Sequence, residues 1–187
     1  MEHFFQELDG WFDDPIDREL YSEMVEKYPS GSHFVEIGSY KGKSSSLMAV
    51  EIINSNKDIR FDCVDTWLGS PEHQVLAEVR NDMLFDIFTE NTKPVVHKIN
   101  AVRAASAEAC SLYEDKSLDF VFIDADHSYE AVKEDLEAWF PKIKDGGTIA
   151  GHDYGNPSNG VKPAVDEFFL EKNLEIVTLR HLWKVYV

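Results

Sequence analysis

Short apolar runs alternate with amphipathic segments along most of the chain. Seven runs have the length and apolar character of β-strands and span residues 33–38, 59–65, 94–99, 118–124, 147–152, 174–179 and 182–187. Helical patterns separate the first five runs, at residues 44–54, 72–88, 103–113 and 129–143. Strands that alternate with helices form parallel sheets covered on both faces. The pattern therefore predicts an α/β, doubly wound, Rossmann-like, seven-stranded sheet.

The two ends of the chain depart from this alternation. Only Arg180 and His181 join the last two runs, which is the length of a hairpin turn. One strand of this pair must therefore run antiparallel to its neighbour. Near the N-terminus, apolar residues between Leu20 and Tyr28 recur at helical spacing.

The composition fits one domain with an acidic surface. The chain has 187 residues, of which 43% are apolar, with 35 acidic and 18 basic side chains and a net charge of −17. Nucleic acids and anionic membranes both require a basic face, so neither is expected as a partner. We expect a single domain over residues 1–187, with an acidic helical extension at residues 1–31 and a helical insert at residues 66–92.

Cysteine usage and the N-terminal sequence bear on location. Cys63 and Cys110 are too few for a disulfide framework and lack metal-ligand spacing. The stretch MEHFFQELDGWFDD has neither a basic segment nor a long apolar run, so we expect no signal peptide. No run approaches the ~20 apolar residues of a membrane span. These features predict a cytoplasmic protein; the oligomeric state stays open, with a homodimer as one alternative.

Polar side chains follow several predicted strands, at the carboxyl ends where sheets of this kind bind their ligands. These residues are the loop Gly38–Ser44, Asp65, Asp124, Asp126, His127, His152 and Asp153. We expect them to converge on one edge of the sheet. The other histidines are not assigned to the site; they are His3, His33, His73, His97 and His181.

The segment FVEIGSYKGKSSS has the pattern of a strand, a glycine turn and a helix start, which aims backbone N–H groups at a ligand. A dinucleotide fingerprint requires Gly-x-Gly-x-x-Gly, but Tyr40 stands at its second glycine position. A P-loop requires four residues before Gly-Lys-Ser, and here only three intervene. The run FVFID nevertheless resembles the strand that ends in a magnesium-binding aspartate in P-loop enzymes. An ordinary strand-to-helix turn is a further alternative.

The same loop resembles the first motif of class I S-adenosylmethionine-dependent methyltransferases, through Glu36, Gly38, Gly42 and Ser44. The stretch IDADHSYEAVKEDLEAWFPKIKDGGTIAGHDY resembles the small-molecule O-methyltransferase branch, which includes macrocin-type sugar methyltransferases and catechol-like enzymes. The resemblance covers roughly residues 32–187. It implies S-adenosyl-L-methionine as cofactor, with the glycines close to its amino-acid part and Glu36 helping to hold its ammonium group.

The resemblance also implies contacts with the adenosine part of the cofactor. Asp65 matches the acid that binds both ribose hydroxyls, and a carboxylate can accept both hydrogen bonds. Ser106 matches a position near the adenine, and Asp124 is a further expected cofactor contact. Trp67 has two interpretations: it stacks on the adenine, or it covers the core.

Methyl transfer to a hydroxyl requires a deprotonated oxygen held in line with the methyl group. Asp124 and Asp153 offer hard oxygen ligands suited to Mg²⁺ or another divalent ion. His152 is the third expected metal ligand, and it departs from the Asp-Asn and Glu-Asp pairs of the related enzymes. This departure changes the expected metal preference, because imidazole favours softer ions than magnesium. His127 matches the catalytic histidine of the sugar branch, and the ordinary histidine pKa of ~6.5 suits a base. His127 and Asp124 are therefore the catalytic candidates.

Three residues at this edge also have a structural alternative. His127 could orient the helix that begins near Ser128, and Asp126 could simply accept N–H groups there. His152 could be a buried hydrogen-bond partner of Asp124 rather than a metal ligand.

The acceptor surface is expected from the segments outside the motifs, namely residues 10–13, 68–91 and 155–160; the last could act as a lid or be a plain turn. Three functions remain open: a methyltransferase acting on a small hydroxylated molecule such as a sugar, a P-loop ATP- and magnesium-dependent enzyme, or a non-catalytic cofactor-binding domain.

Overall fold

Most helices and strands of the computed structural model, which describes residues 1–187, lie where the local sequence pattern predicts them. The strands are β1 (His33–Ile37), β2 (Arg60–Asp65), β3 (Asn100–Arg103), β4 (Leu118–Ile123), β5 (Ile143–Gly151), β6 (Val177–Leu179) and β7 (Leu182–Tyr186). The α-helices are α1 (Pro15–Lys27), α2 (Lys43–Ser55), α3 (Ala77–Arg80), α4 (Leu84–Thr92), α5 (Ser106–Ala109), α6 (Tyr129–Trp139) and α7 (Val161–Glu171). Short 3₁₀ helices occupy Phe5–Glu7, Pro71–Val75, Lys93–Lys98, Cys110–Leu112 and Phe140–Lys142.

The seven strands form one sheet in the order β3-β2-β1-β4-β5-β7-β6. Strands β1 to β5 pair in parallel, whereas β7 pairs antiparallel to both β5 and β6. The predicted doubly wound sheet with an antiparallel C-terminal hairpin is therefore confirmed. The chain order reverses between β1 and β4, so the topological switch point lies between the carboxyl ends of these two strands.

Two apolar cores cover the two faces of the sheet. Successive strand residues point to opposite faces, so Phe34 joins one core and Val35 the other. The first core packs the sheet against α1, α2 and α4, and the second packs it against α5, α6 and α7. The central strand β4 is buried over its whole length, as expected for a strand covered on both faces.

The prediction of a strand at residues 94–99 is wrong. Lys93–Lys98 forms a 3₁₀ helix with Pro94 in its first turn, and the third strand is Asn100–Arg103. This strand lies at the sheet edge and pairs only with β2; its residues other than Val102 are exposed. An edge strand with one inward side chain carries almost no hydrophobic pattern, while Val95 and Val96 imitate one.

Two helical regions also differ from expectation. The segment with a helical pattern at residues 72–88 forms three short helices, namely the 3₁₀ helix Pro71–Val75, α3 and α4. Helix α7 follows the expected loop at residues 155–160 and was not predicted, although its buried residues Val161, Ala164, Val165, Phe168 and Phe169 recur at helical spacing.

None of the helices combines the length and the apolar character that crossing a membrane requires.

Candidate functional site

The predicted site residues meet at the carboxyl edge of the sheet, around the switch point between β1 and β4. Gly38 follows β1 with a φ of +90°, and a Cβ atom there would lie 2.0 Å from the carbonyl oxygen of Asp124. Only glycine allows the two strand ends to come this close in this conformation. The backbone of the loop and that of Asp124 therefore form one continuous surface.

Gly42 serves a different neighbour. It precedes α2 with a φ of +84°, and a Cβ atom there would lie 2.7 Å from Thr92 Cγ2 and 3.0 Å from Phe88 Cδ2. The second glycine of the loop thus lets the start of α2 pack closely against α4.

Glu36 lies behind the loop and lines neither cavity of the site. Its side chain is only 1% exposed, and its carboxylate accepts hydrogen bonds from Tyr21 (3.1 Å), Ser39 (2.8 Å) and Ser45. Burial raises the pKa of Glu36, and the hydroxyl donors oppose that effect. Glu36 therefore has almost no exposed surface for the expected contact with a cofactor ammonium, which corrects that expectation. Its side chain shapes the loop from the interior.

Asp65, at the end of β2, also shapes the loop. Its carboxylate accepts the backbone N–H groups of Tyr40 (2.8 Å) and Trp67 (2.7 Å), both of which have positive φ angles. The same carboxylate lines a cavity, and each oxygen can accept a further hydrogen bond. Burial raises the pKa of Asp65, and its backbone donors oppose the shift.

Trp67 belongs to the core. Its side chain is fully buried, packs against Phe85 and Phe88 with ring centroids 4.8 and 4.7 Å away, and donates its indole N–H to the carbonyl of Tyr40 at 2.9 Å. A ring with no exposed surface cannot stack on a ligand, so the adenine-stacking interpretation is wrong and the core interpretation holds.

Two adjoining cavities occupy the carboxyl edge. The larger cavity has a volume of about 510 Å³ and is lined by residues that include Trp11, Lys43, Ser44, His127 and Asp153. The smaller cavity has a volume of about 280 Å³ and is lined by residues that include Asp65, Ala104 and Ser106. Both cavities share the residues Gly38, Tyr40, His73, Asp124 and Ala125.

Ser106 stands at the first position of α5, on the wall of the smaller cavity. Its hydroxyl accepts the indole N–H of Trp139 at 2.8 Å. Asp135 on α6 lies in the same buried group, and burial raises the pKa of this carboxyl to about 6.

The N-terminal segment forms the roof of the larger cavity. Trp11 is 66% exposed, yet its ring stacks on Tyr40 (5.4 Å between centroids) and on His73 (5.5 Å). The buried ammonium group of Lys41 pairs with Asp9 at 2.6 Å, and that of Lys43 pairs with Asp13 at 2.6 Å. Trp11 therefore adds an aromatic side chain to the lining of the larger cavity.

His127 contacts three carboxylates. Its Nε2 atom lies 3.4 Å from Asp124 Oδ1 and 3.4 Å from Asp153 Oδ2, and its Nδ1 atom lies 3.2 Å from Glu72 Oε1. The hydrogen bond with Asp124 and the surrounding negative charge raise the pKa of His127 to about 9, against the opposing effect of burial. The expectation that His127 has an ordinary histidine pKa is therefore wrong. With a pKa of about 9, its imidazole is protonated at neutral pH.

Asp124, His152 and Asp153 are brought together as predicted, with one potential ligand atom from each lying within 4.8 Å of the others. Two half-buried carboxylates are suitable donors for a hard divalent ion. His152 Nδ1 is hydrogen-bonded to Asp153 Oδ2 at 2.8 Å, so the partner of His152 is Asp153 and not Asp124.

Asp126 accepts the backbone N–H of Ser128 at 2.8 Å, and Ser128 caps α6 by accepting the N–H of Ala131. This local role matches the structural alternative for Asp126. His127 points away from the cap, toward the carboxylates.

Three residues near the site were not predicted from the sequence. His73 lines both cavities, while Asp17 and His181 surround the second ring nitrogen of His152. The pairing of Gly151 with Trp183 places the hairpin turn, and therefore His181, beside the end of β5. The order of the strands would have been needed to find this neighbour.

The P-loop interpretation is not supported. In a P-loop the lysine reaches the phosphates. Here the ammonium of Lys43 pairs with Asp13 at 2.6 Å and donates to the carbonyl of Gly10 at 3.3 Å.

Comparison with known proteins agrees with this fold. Residues 35–154 match the family model described as a methyltransferase domain. The O-methyltransferase NovP superposes with a TM-score of 0.70 at 18% identity, over 90% of this chain and 78% of that one. CalS11, a TDP-rhamnose 3′-O-methyltransferase of calicheamicin biosynthesis, gives 0.62 at 17% identity, over 91% and 77%. A SAM-dependent O-methyltransferase from Thermotoga maritima gives 0.66 at 10% identity, over 95% and 67%.

Proposed function

Since the chain belongs to the family of methyltransferase domains, we propose that it transfers a methyl group from S-adenosylmethionine to a hydroxyl oxygen of a small molecule. The observation that supports this most strongly is the pair of cavities that adjoin at Gly38 and Asp124. A donor that extends from the smaller cavity into the larger one would present its methyl group to an acceptor in the larger cavity, which is the main requirement of an in-line displacement.

The smaller cavity has the features that the adenosine part of the donor requires. The carboxylate of Asp65 faces it with free lone pairs for two ribose hydroxyls, and Ser106 lies on the wall of the same cavity. The glycine loop leads from this cavity to Ser44 in the larger one, where the methionine part would lie. Bound there, S-adenosylmethionine would supply the methyl group on its sulfonium.

At the acceptor end, His127 is the proposed general base. It lies on the wall of the larger cavity and is oriented by Asp124 and Asp153. A protonated His127 cannot accept a proton, so the role requires its pKa to fall from about 9 toward neutrality. A divalent ion such as Mg²⁺ held by Asp124 and Asp153 would supply charge that offsets these carboxylates and acidifies an acceptor hydroxyl.

The proposed acceptor is a small hydroxylated molecule, such as a sugar. A cavity of about 510 Å³ suits a molecule of this size, and Trp11 provides an exposed ring at its mouth. CalS11, a structural neighbour, is described as acting on a TDP-rhamnose. No nucleic-acid or membrane partner is proposed. The cytoplasmic location stays a prediction, and the oligomeric state stays open, with a homodimer as one alternative.

Three measurements test the proposal. Isothermal titration with S-adenosylhomocysteine should give a saturable site, and the product should raise the melting temperature by mass action. Transfer of a labelled methyl group from S-adenosylmethionine to a panel of sugars, nucleotide sugars and catechols, with and without Mg²⁺, should identify the acceptor. No thermal shift at about millimolar S-adenosylhomocysteine would overturn the proposal. Binding without transfer to any acceptor would favour the non-catalytic alternative.

A further inference from the structure

A second group of potential metal ligands lies beside the proposed active site, and the proposed function does not use it. It consists of Asp17 from α1, His152 from the end of β5 and His181 from the turn between β6 and β7. One ligand atom from each residue lies within 4.8 Å of the others. These three segments are far apart in sequence, and the ligand atoms converge on one point.

The free nitrogen of His152 is directed into this group. His152 Nε2 is buried and has no hydrogen-bond partner, although it lies 3.8 Å from Asp17 Oδ1. The other ring nitrogen is hydrogen-bonded to Asp153 at 2.8 Å. Metal-bound histidines usually donate their second N–H to a carboxylate in this way, which fixes the tautomer and directs the lone pair at the metal.

Asp17 is arranged as a single-oxygen ligand. Its Oδ2 atom accepts the backbone N–H of Asp14 at 3.1 Å, within the capping box of α1, and this leaves Oδ1 facing the histidines. His181 Nε2 is 2.6 Å from Asp17 Oδ1, and the rings of His152 and His181 are 4.4 Å apart. A carboxylate that is 1% exposed, beside two imidazoles, has no other cation near it.

The spacing is compatible with a small tetrahedral ion. Ligand atoms about 2 Å from a tetrahedral zinc ion lie roughly 3.3 Å from one another. The two separations from Asp17 Oδ1, 2.6 and 3.8 Å, bracket this value, so small side-chain rotations would suffice. His181 is the most exposed member, which leaves a path for an ion and a position for water.

We propose that Asp17, His152 and His181 form a binding site for a divalent transition-metal ion of the zinc type, separate from the carboxylate pair Asp124 and Asp153. Two imidazoles and one carboxylate favour zinc over magnesium, because imidazole is a poor ligand for hard ions. The ion would link α1 to the end of β5 and to the C-terminal hairpin. It would thereby also hold residues 10–12, which precede α1 and line the larger cavity. The inference does not depend on methyl transfer.

The test is a zinc titration of the full chain after removal of metals by a chelator. Calorimetry should give one equivalent of tight binding, and Co²⁺ should give the visible absorption of a tetrahedral site with nitrogen ligands. His181→Gln should weaken zinc binding by at least about tenfold, while the exposed control His97→Gln should leave it unchanged. Asp124→Asn should retain the tight equivalent.

His181→Gln is preferred to Asp17→Asn because Asp17 also caps α1; circular dichroism of the variant would verify its fold. Failure of the wild type to bind Zn²⁺ or Co²⁺ would overturn the proposal. So would a variant pattern in which Asp124→Asn loses the zinc and His181→Gln keeps it. Binding of S-adenosylhomocysteine, measured on the same metal-free sample, reports on the proposed function separately.

Discussion

Gly38 and Asp124 are in backbone contact: a Cβ atom on Gly38 would lie 2.0 Å from the carbonyl oxygen of Asp124 and 2.8 Å from Ala125 Cα. This contact joins the ends of β1 and β4 at the switch point of the sheet. It also forms the boundary between the two cavities. Close packing of the two strand ends thus creates the surface on which donor and acceptor would meet.

Gly38→Ala should therefore destabilise the protein severely. The added methyl group would overlap the backbone oxygen of Asp124, which cannot move aside as a flexible side chain can. We therefore expect a loss of about 3 kcal/mol or more in the free energy of unfolding. Urea denaturation would measure it. Gly31→Ala is a matched control because Gly31 has nearly the same φ, +89°, but nothing within 4 Å of its Cβ position. That variant should lose only about 1 kcal/mol. Equal losses would show that backbone conformation, and not the contact with Asp124, decides the effect.

Trp11→Ala should weaken the use of the acceptor more than the binding of the donor. Trp11 lines only the larger cavity, where it stacks on Tyr40 and His73. We expect kcat/KM for the identified acceptor to fall about tenfold, equivalent to about 1.4 kcal/mol, with the Kd of S-adenosylhomocysteine changed much less. Leu170→Ala removes another exposed apolar side chain, on α7, and should change neither value. A larger effect on S-adenosylhomocysteine than on the acceptor would contradict the assignment of the roof.

His127→Gln should abolish most of the methyl transfer without loss of donor binding. Glutamine can keep a hydrogen bond to Asp124 but cannot take a proton, so kcat should fall by about 10²–10⁴-fold. Calorimetry with S-adenosylhomocysteine should show little change in affinity. His97→Gln is the control for a histidine on the surface. Substantial residual activity would leave His127 with a merely orienting role.

Asp62 should contribute to stability in a manner that depends on pH. Burial opposes its ionisation, but hydrogen bonds from His33, Asn100 and Arg60 lower the pKa of Asp62 to about 2, from 3.8. Such a group stabilises the fold above the unfolded pKa and loses this contribution as the pH falls from about 4 to about 2. Asp62→Asn should lower the free energy of unfolding at pH 7 by about 2 kcal/mol.

The measurement for Asp62 is urea denaturation as a function of pH. The difference between wild type and variant should shrink as the pH falls from 4 toward 2. Asp58→Asn, which changes an exposed carboxylate, should show no such difference. A difference independent of pH would mean that the charge of Asp62 is not responsible.

Asp135 should have the opposite effect. Burial raises its pKa to about 6, so the charged form destabilises the fold at neutral pH. The penalty is absent below the unfolded pKa of 3.8 and complete above about pH 6. Asp135→Asn should therefore raise the free energy of unfolding at pH 8 by about 3 kcal/mol, and the gain should disappear below about pH 4. Thermal unfolding at several pH values would measure this, and a destabilised variant at pH 8 would contradict the prediction.

The sequence by itself determined the parallel sheet, the antiparallel hairpin and the edge where the site lies. These depend on local patterns: the period of apolar residues, the glycine turn after β1 and the two-residue connection before β7. Strand ends in a parallel sheet must share one edge, so the sequence pattern alone groups Asp65, Asp124 and Asp153. The third strand was misplaced because an exposed edge strand has little apolar pattern to detect.

The tertiary structure decided what each side chain at that edge contacts. The Glu36 carboxylate accepts hydrogen bonds from three hydroxyls in the interior, and Trp67 lies in the core. The pKa of His127 is raised first by its hydrogen bond with Asp124 on the same segment, and then by the charges of Asp153 and Glu72 from distant segments. His181 reached His152 only because β7 pairs with β5. Burial, pKa and ligand geometry depend on neighbours that are distant in the chain. Periodicity reports only on the direction in which a residue points, so these properties required the folded structure.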